Sequence, residues 1–423
     1  MSNPIAIYVP DNPRLDDALD ALPGKLKRYR DHARWLIHLV CARRAFGQAD
    51  RDGYVRLMSL ILREFVPCRV LTTIRRELVS SGVLDLSPYS VGCKSIGHRI
   101  TPEFDGRVRQ ELVTDPLLCR KLRSDREGFH LHRFAKSDPE YAKVLKRRGW
   151  FFAMAERTLE HIGFDADPEA IYQEAIYAGL PSANADYSVC RVSDHDGGRV
   201  HVDPKGWRAH HLATYMHRGI RAHLTLSGCA TVEVDIANSQ PLLLGIACSA
   251  GESALFGREG TRGTPIMLRM RHYPVDISEV RDYTATCAAG ELYATLSTDT
   301  GLPVERVKKT FVSAVLMGEP WYDGPVHESF RNHWPSIGET LDAAKREVGL
   351  SAVACGLQRL ESEIIIDGAM RHLHQEHPDV EALTIHDSAL VPVGNAEPAR
   401  TAILDEFKEW GVEATVRIKG VSA

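Results

Sequence analysis

The pattern of apolar and polar positions changes character along this chain. Residues 1–25, rich in Pro and Asp, hold no sustained period and read as an arm or cap. From Lys25 to Phe46, the residues Leu26, Tyr29, Ala33, Leu36 and Val40 recur at helical spacing and predict a helix. Val55–Phe65 predicts a second, amphipathic helix, broken at Pro67-Cys68. Arg69–Ser80 predicts a third, ended by Gly82. Extended pieces follow at Val83-Leu84-Asp85 and across Tyr89–Ile100, around a loop of Gly, Lys and Ser. Residues 104–185 read as mostly helical and polar. Beyond Pro181, Gly pairs and short extended segments precede an alternation of strands and long helices, which places a boundary near residue 185.

The back half carries sharper patterns. Ala230–Ile236 alternates strictly: Thr231, Glu233 and Asp235 share one face, and Ala230, Val232, Val234 and Ile236 the other. This predicts a half-buried strand that delivers a carboxylate at its end, then a turn and an apolar helix, Leu242–Cys248. Taken alone, Asp235 is also a residue type that caps helices. Val304–Met317 predicts a helix opened by Pro303 and stopped by Gly318. Arg306, Lys309 and Ser313 fall on or near one face, either to grip a polyanion or as a solvated surface. Leu357–His374 predicts a further helix with Gln358, Glu361 and Ser362 near its start. Gln358 there either meets a nucleic-acid groove or caps a helix turn. Ala382–Val393 reads as strand, polar turn, strand, with His386-Asp387-Ser388 at the tip. That triplet gives no turn advantage of the Asn-Gly or Asp-Gly kind, so either a functional carboxylate or a plain turn Asp stands there.

Composition narrows the class. With 26% charged and 44% hydrophobic residues in 423, the chain is globular, and its length fits two or three domains with a real core. No apolar run approaches the ~20 residues of a membrane span, and no basic-then-apolar leader opens the chain. A cytoplasmic protein without membrane association is expected. Nine cysteines are scattered singly without metal-ligand spacing, which predicts reduced thiols. The net charge of −4 divides into +10 over residues 1–150 and −14 over 151–423. The front is suited to anions and the back to chemistry that needs carboxylates, unless the segregation is chance.

Helix, turn, helix and two extended pieces around a Gly/Lys/Ser loop over 50–103 resemble a winged helix-turn-helix. The segment Gly92–Ile100 resembles wings of phage and plasmid replication proteins. Arg69, Arg75 and Arg76 lie opposite Leu71, Ile74 and Leu78, and the wing adds Lys94, His98 and Arg99. These cations are expected to meet phosphates, or to form a solvated face of a protein-binding domain.

The order of the later motifs is a strand-borne Asp235, the cationic helix with Lys309 nine residues before Gly318, the helix with Gln358, and the His386-Asp387 hairpin. It resembles the palm and fingers of the family A DNA polymerases and the single-subunit phage-type RNA polymerases, over roughly residues 198–420. The resemblance implies that Asp235 and Asp387 bind two Mg²⁺ or Mn²⁺ ions, and that Lys309 faces the incoming triphosphate with Arg306 as helper. It also implies that Ser239, Gln240 and Met317 border the nucleotide, and that Gln358, His386, Arg199 and Arg221 meet primer and template. His386 equally reads as a packed hairpin histidine, and Glu233 as a possible third acid. Met317 stands where the family has Tyr, and Glu305 where it has Arg. Gln240 stands where the DNA polymerases carry a Glu that excludes a ribose 2′-hydroxyl.

The expected fold is α+β. A mainly helical front would hold an arm and helix (1–49), a winged helix-turn-helix (50–103) and a thumb-like helical connector (104–185). A right-hand palm with a small antiparallel sheet and helical fingers would follow (186–423). The expected activity is template-directed nucleotidyl transfer to a 3′-hydroxyl, with DNA, nucleoside triphosphates and replication proteins as partners. A primase or other RNA-synthesising enzyme on the same scaffold is the first alternative. A non-catalytic replication initiator and a two-metal nuclease are the others.

Overall fold

The computed structural model describes residues 4–87, 95–126, 138–249, 273 and 275–420. It mixes helix and sheet, as an α+β chain should. The strands are β1 (Ile5–Pro10), β2 (Val55–Arg56), β3 (Leu84–Ser87), β4 (Gly97–Ile100), β5 (Val108–Val113), β6 (Ile162–Phe164), β7 (His201–Val202), β8 (Ala209–His210), β9 (Leu224–Leu226), β10 (Cys229–Ile236), β11 (Leu383–Ile385), β12 (Ser388–Pro392) and β13 (Val416–Lys419). No helix among the described residues is long and apolar enough to cross a membrane.

Two compact units interleave along the sequence. The first comprises Met1–Arg133, Leu159–Arg199 and His211–Ala230; the second comprises Phe134–Thr158, Val200–His210 and Thr231–Ala423. The boundary expected near residue 185 therefore falls inside the first unit. The stretch 104–185 is shared between both units and contains β5 and β6 as well as helices.

In the first unit, the expected arm is a core strand. β1 pairs antiparallel with β5, and Ile5, Ile7 and Val9 pack with Leu36, Ile37 and Val40. Six residues make a short signal, and the partner strand lies about a hundred residues away, so nothing local announced the pairing. The helix expected from Lys25 begins at Arg30 and runs to Ala45 after a 3₁₀ turn over Gly24–Tyr29. Val55 and Arg56, expected in a helix, instead pair with His98 and Gly97 as β2, and the helix starts at Ser59. Helix Cys68–Ser80 and then β3 and β4 complete this region, with sheet order β2-β4-β3.

The second unit is built on β10. From Thr231 onward this strand is flanked by β12 on one side and β13 on the other, and β11 pairs with β12. The buried Ser239–Ser249 helix follows β10. The helix expected over Val304–Met317 is α-helical at Val304–Thr310 and π-helical at Phe311–Leu316. The helix expected from Leu357 starts earlier, as Leu350–Ser362, and passes through a π-helical stretch, Glu363–Ala369, into Met370–Glu376.

A π-turn mispairs backbone groups, and in both helices a buried cation from another element takes up a carbonyl. Lys345 Nζ donates to Val315 O at 2.6 Å. Arg148, with a fully buried side chain, donates to Ser362 O at 3.0 Å and to Trp207 O at 2.5 Å. Arg148 and Arg147 both close on Asp367, at 2.7 and 2.6 Å.

Candidate active site

The alternation read in β10 is realised from Val232 to Ile236, whereas at the start of the strand Ala230 is exposed and Thr231 buried. Val232, Val234 and Ile236 are buried, while Glu233 and Asp235 are partly open. Across the ladder Asp235 is the Cα partner of Ser388 on one side and of Arg417 on the other. Antiparallel partners stand about 4.5–5.5 Å apart, and Asp387 immediately precedes Ser388. The two acids are thus brought together by strand register. A third carboxylate joins them: Glu361, from helix Leu350–Ser362, is 2% exposed. Burial, then Glu361, then Asp235 push the Asp387 carboxyl up to about 7, against the opposing pull of Arg208.

Cations compensate the other two acids. Arg208, just before β8, forks onto Glu361 with Nε and Nη2 at 2.6 and 2.8 Å. Gln240 Nε2 also donates to Glu361 Oε2. Lys419 Nζ, on β13, pairs with Asp235 Oδ2. Asp387 alone is left with negative neighbours and no ion pair of its own among the described residues. Its proton is held first by burial and then by repulsion from Glu361 and Asp235, and a bound cation would relieve the repulsion.

The turns around the acids are backbone outliers. His386 has φ of 57°, Asn238 of 51° and Trp207 of 58°, three of the five non-glycine residues with positive φ among the described residues. Such conformations cost on the order of 1–3 kcal/mol each and cluster where geometry serves a site. Trp207 is held by Arg359, whose guanidinium lies 4.5 Å from the indole centroid. His210 meets the His386 ring edge-on at 5.9 Å and stacks on His201 at 5.2 Å. His386 is thus packed against a histidine of β8.

The other expected residues are distributed as follows. Arg306, Lys309 and Ser313 are exposed on one side of their helix, while Val307, Phe311 and Leu316 are fully buried. Met317 is partly buried and Ser239 is buried. Gln358 sits against Gly206, where a Cβ would collide with its side chain. Arg199 and Arg221 belong to the first unit. Arg199 is exposed, whereas Arg221 donates to the carbonyls of Met216 at 2.9 Å and Ala213 at 3.3 Å, serving its own chain. Arg69 and Arg76 are exposed on helix Cys68–Ser80.

Two placements on that region are corrected. Arg75 is 9% exposed and donates to Ser59 Oγ at 3.3 Å, so it lies with Leu71, Ile74 and Leu78 rather than opposite them. His98 is fully buried in β4. Both follow from packing: a long aliphatic stem and a neutral ring fill core space that the sequence pattern assigned to the surface. Arg99 is held by Asp85 at 2.8 Å and lies over Tyr54. Lys94 lies outside the described residues.

Glu361, Arg208, Arg417 and Lys419 were not singled out as site residues from sequence. Among the described residues, no three His, Cys, Asp or Glu side chains gather as a metal cage. The available donor set is instead the carboxylate oxygens of Asp235 and Asp387, the hard ligand type that suits a divalent ion such as Mg²⁺. Compared with known proteins, the chain matches no family model and no curated sequence.

Proposed function

We propose that the chain is a template-directed nucleotidyltransferase that extends a 3′-hydroxyl. The convergence of Asp235, on β10, with Asp387, in the turn that opens its partner strand β12, carries this reading. Asp235 and Asp387 would hold Mg²⁺ or Mn²⁺, which supplies Lewis-acid stabilisation to the attacking and leaving oxygens when bound. Lys309 and Arg306, exposed on their helix, neutralise the triphosphate. Arg208 and Lys419 offset the charge of Glu361 and Asp235. His386 and Gln358 border the nucleic acid.

In the first unit, the order helix, β2, helix, helix, β3, β4 and the sheet order β2-β4-β3 support a winged-helix reading. Exposed Arg69 and Arg76 provide phosphate contacts there, which would recruit the enzyme to DNA and bring it beside replication proteins.

The test is primer extension on a DNA template with Mg²⁺ or Mn²⁺, using separate dNTP and rNTP pools. The wild type extends, and Asp235→Asn and Asp387→Asn each lose at least a hundredfold in rate. Equal extension by either variant refutes the assignment. No incorporation by the wild type, with intact duplex binding, returns the non-catalytic initiator reading. Product formed without a primer identifies the priming alternative.

A further inference from the structure

We infer that a cavity in the first unit receives the last residue of a partner polypeptide, its apolar side chain together with its α-carboxylate. The cavity measures about 150 Å³. It lies between the helix Arg30–Ala45, the helix Ser59–Phe65 and the residues Leu57 and Met58 that join β2 to the latter. In its wall Trp35 and Phe65 are 4% and 3% exposed, with ring centroids 4.7 Å apart. Met58 is 44% exposed, so that side of the wall reaches solvent. An apolar hole of this volume holds one benzene-sized group.

Arg43 is the one charged residue of the lining. Its neighbour Arg44 forks onto Asp105, at 2.7 Å for each bond. The Arg43 guanidinium has neither an ion pair nor a hydrogen bond among the described residues, and burial alone acts on it, disfavouring its charged form. An arginine stays protonated all the same. Its charge is therefore partly desolvated without compensation, and a carboxylate would supply the missing partner through two parallel hydrogen bonds.

Together these features specify one apolar group of benzene size beside one anion. A helix docking in a groove uses anchors on several successive turns, whereas this cavity admits a single side chain. The end of a chain carries a side chain and a carboxylate on the same residue, which is the pairing that the cavity and Arg43 offer. A terminal Phe matches the volume. The inference stands apart from the chemistry proposed for the second unit, and its test needs no nucleotide.

The full chain, labelled with ¹³C at its methionine methyls, is titrated with three peptides. These are N-acetyl-Gly-Gly-Phe as the free acid, the same peptide as its C-terminal amide, and N-acetyl-Gly-Gly-Gly as the free acid. The Met58 methyl resonance, assigned through Met58→Leu, reports occupancy. The Phe acid is expected to shift it saturably, the amide to bind at least about tenfold more weakly for want of the charged hydrogen bonds, and the Gly acid not to bind. Arg43→Met, which removes an unpaired charge and keeps the apolar stem, folds normally and brings the Phe acid down to the level of the amide. Equal binding of acid and amide overturns the inference, as does acid binding unchanged in Arg43→Met. Absence of saturable binding by every peptide overturns it too. If 3-phenylpropanoate, titrated alongside, then binds where the peptides do not, the cavity belongs to a small free acid instead of a chain end.

Discussion

Replacing Asp367 by Asn keeps the shape of the side chain and removes one charge from the most enclosed ion cluster of the second unit. Asp367 receives Arg148 Nη2 and Nε at 2.7 and 3.1 Å and Arg147 Nη2 and Nε at 2.6 and 3.1 Å, and its side chain is fully buried. These guanidinium groups hold the Asp367 carboxyl below the usual carboxylate range despite its burial. Arg147 retains 30% exposure and can turn to solvent, but Arg148 has none. The variant therefore strands one fully buried guanidinium, the situation that costs about 3–5 kcal/mol when one partner of a buried pair is removed. For a unit of this size that corresponds to a fall in Tm of roughly 6–20 °C. Thermal unfolding followed by circular dichroism, with calorimetry to resolve the two units, reads the change. The pair Asp367→Leu with Arg148→Met recovers only part of the loss, because the Trp207 and Ser362 carbonyls then lose their donor. A shift below about 2 °C in Asp367→Asn would refute the idea that Arg148 is locked in place by this carboxylate.

Three further outcomes are expected. Lys419→Ala frees the Asp235 carboxylate from a half-exposed ion pair, so the Mn²⁺ concentration for half-maximal extension falls by about two- to fivefold, the equivalent of a surface pair; an unchanged or higher midpoint would contradict the competition between ammonium and metal. Burial and the nearby Arg75 push His98 down to about 4, so its protonation favours the unfolded chain: its contribution is complete above the unfolded value near 6.5 and is lost as pH falls from there toward 4. Between pH 7 and 5 this removes about 2 kcal/mol from the first unit, and in urea titrations His98→Phe should flatten that slope. Arg69→Ala with Arg76→Ala should weaken duplex binding at all sequences and reduce the salt slope by about two, while Arg75→Met should lower stability and leave the slope unchanged.

What could be read from the sequence was what short-range periodicity encodes. The alternation around Asp235 and the two apolar runs flanking His386-Asp387 each fix a local element, and the elements form where expected. Their meeting could be anticipated only from the order of motifs, because register between distant strands leaves no local mark. Glu361 was invisible as a site residue for the same reason: on a helix beside Gln358 and Ser362 it reads as surface, and only a partner 153 positions earlier, Arg208, shows that it points inward. The N-terminal strand was missed because its complement comes so much later. Arg75 was misplaced because an arginine on an amphipathic helix defaults to water.

The π-helical stretch Glu363–Ala369 starts just after Glu361 and contains Asp367, two acids that look in different directions, Glu361 toward Arg208 and Asp367 toward Arg147 and Arg148. A wider turn of this kind is equivalent to one surplus residue wound into an ordinary helix, where each residue advances the azimuth by about 100°. The angular offset between those acids is therefore stored as chain length rather than as chemistry. Shortening the segment by a single residue would re-phase everything after it while leaving every side chain's identity intact, so this helix should tolerate substitutions at several positions far better than it tolerates a one-residue deletion.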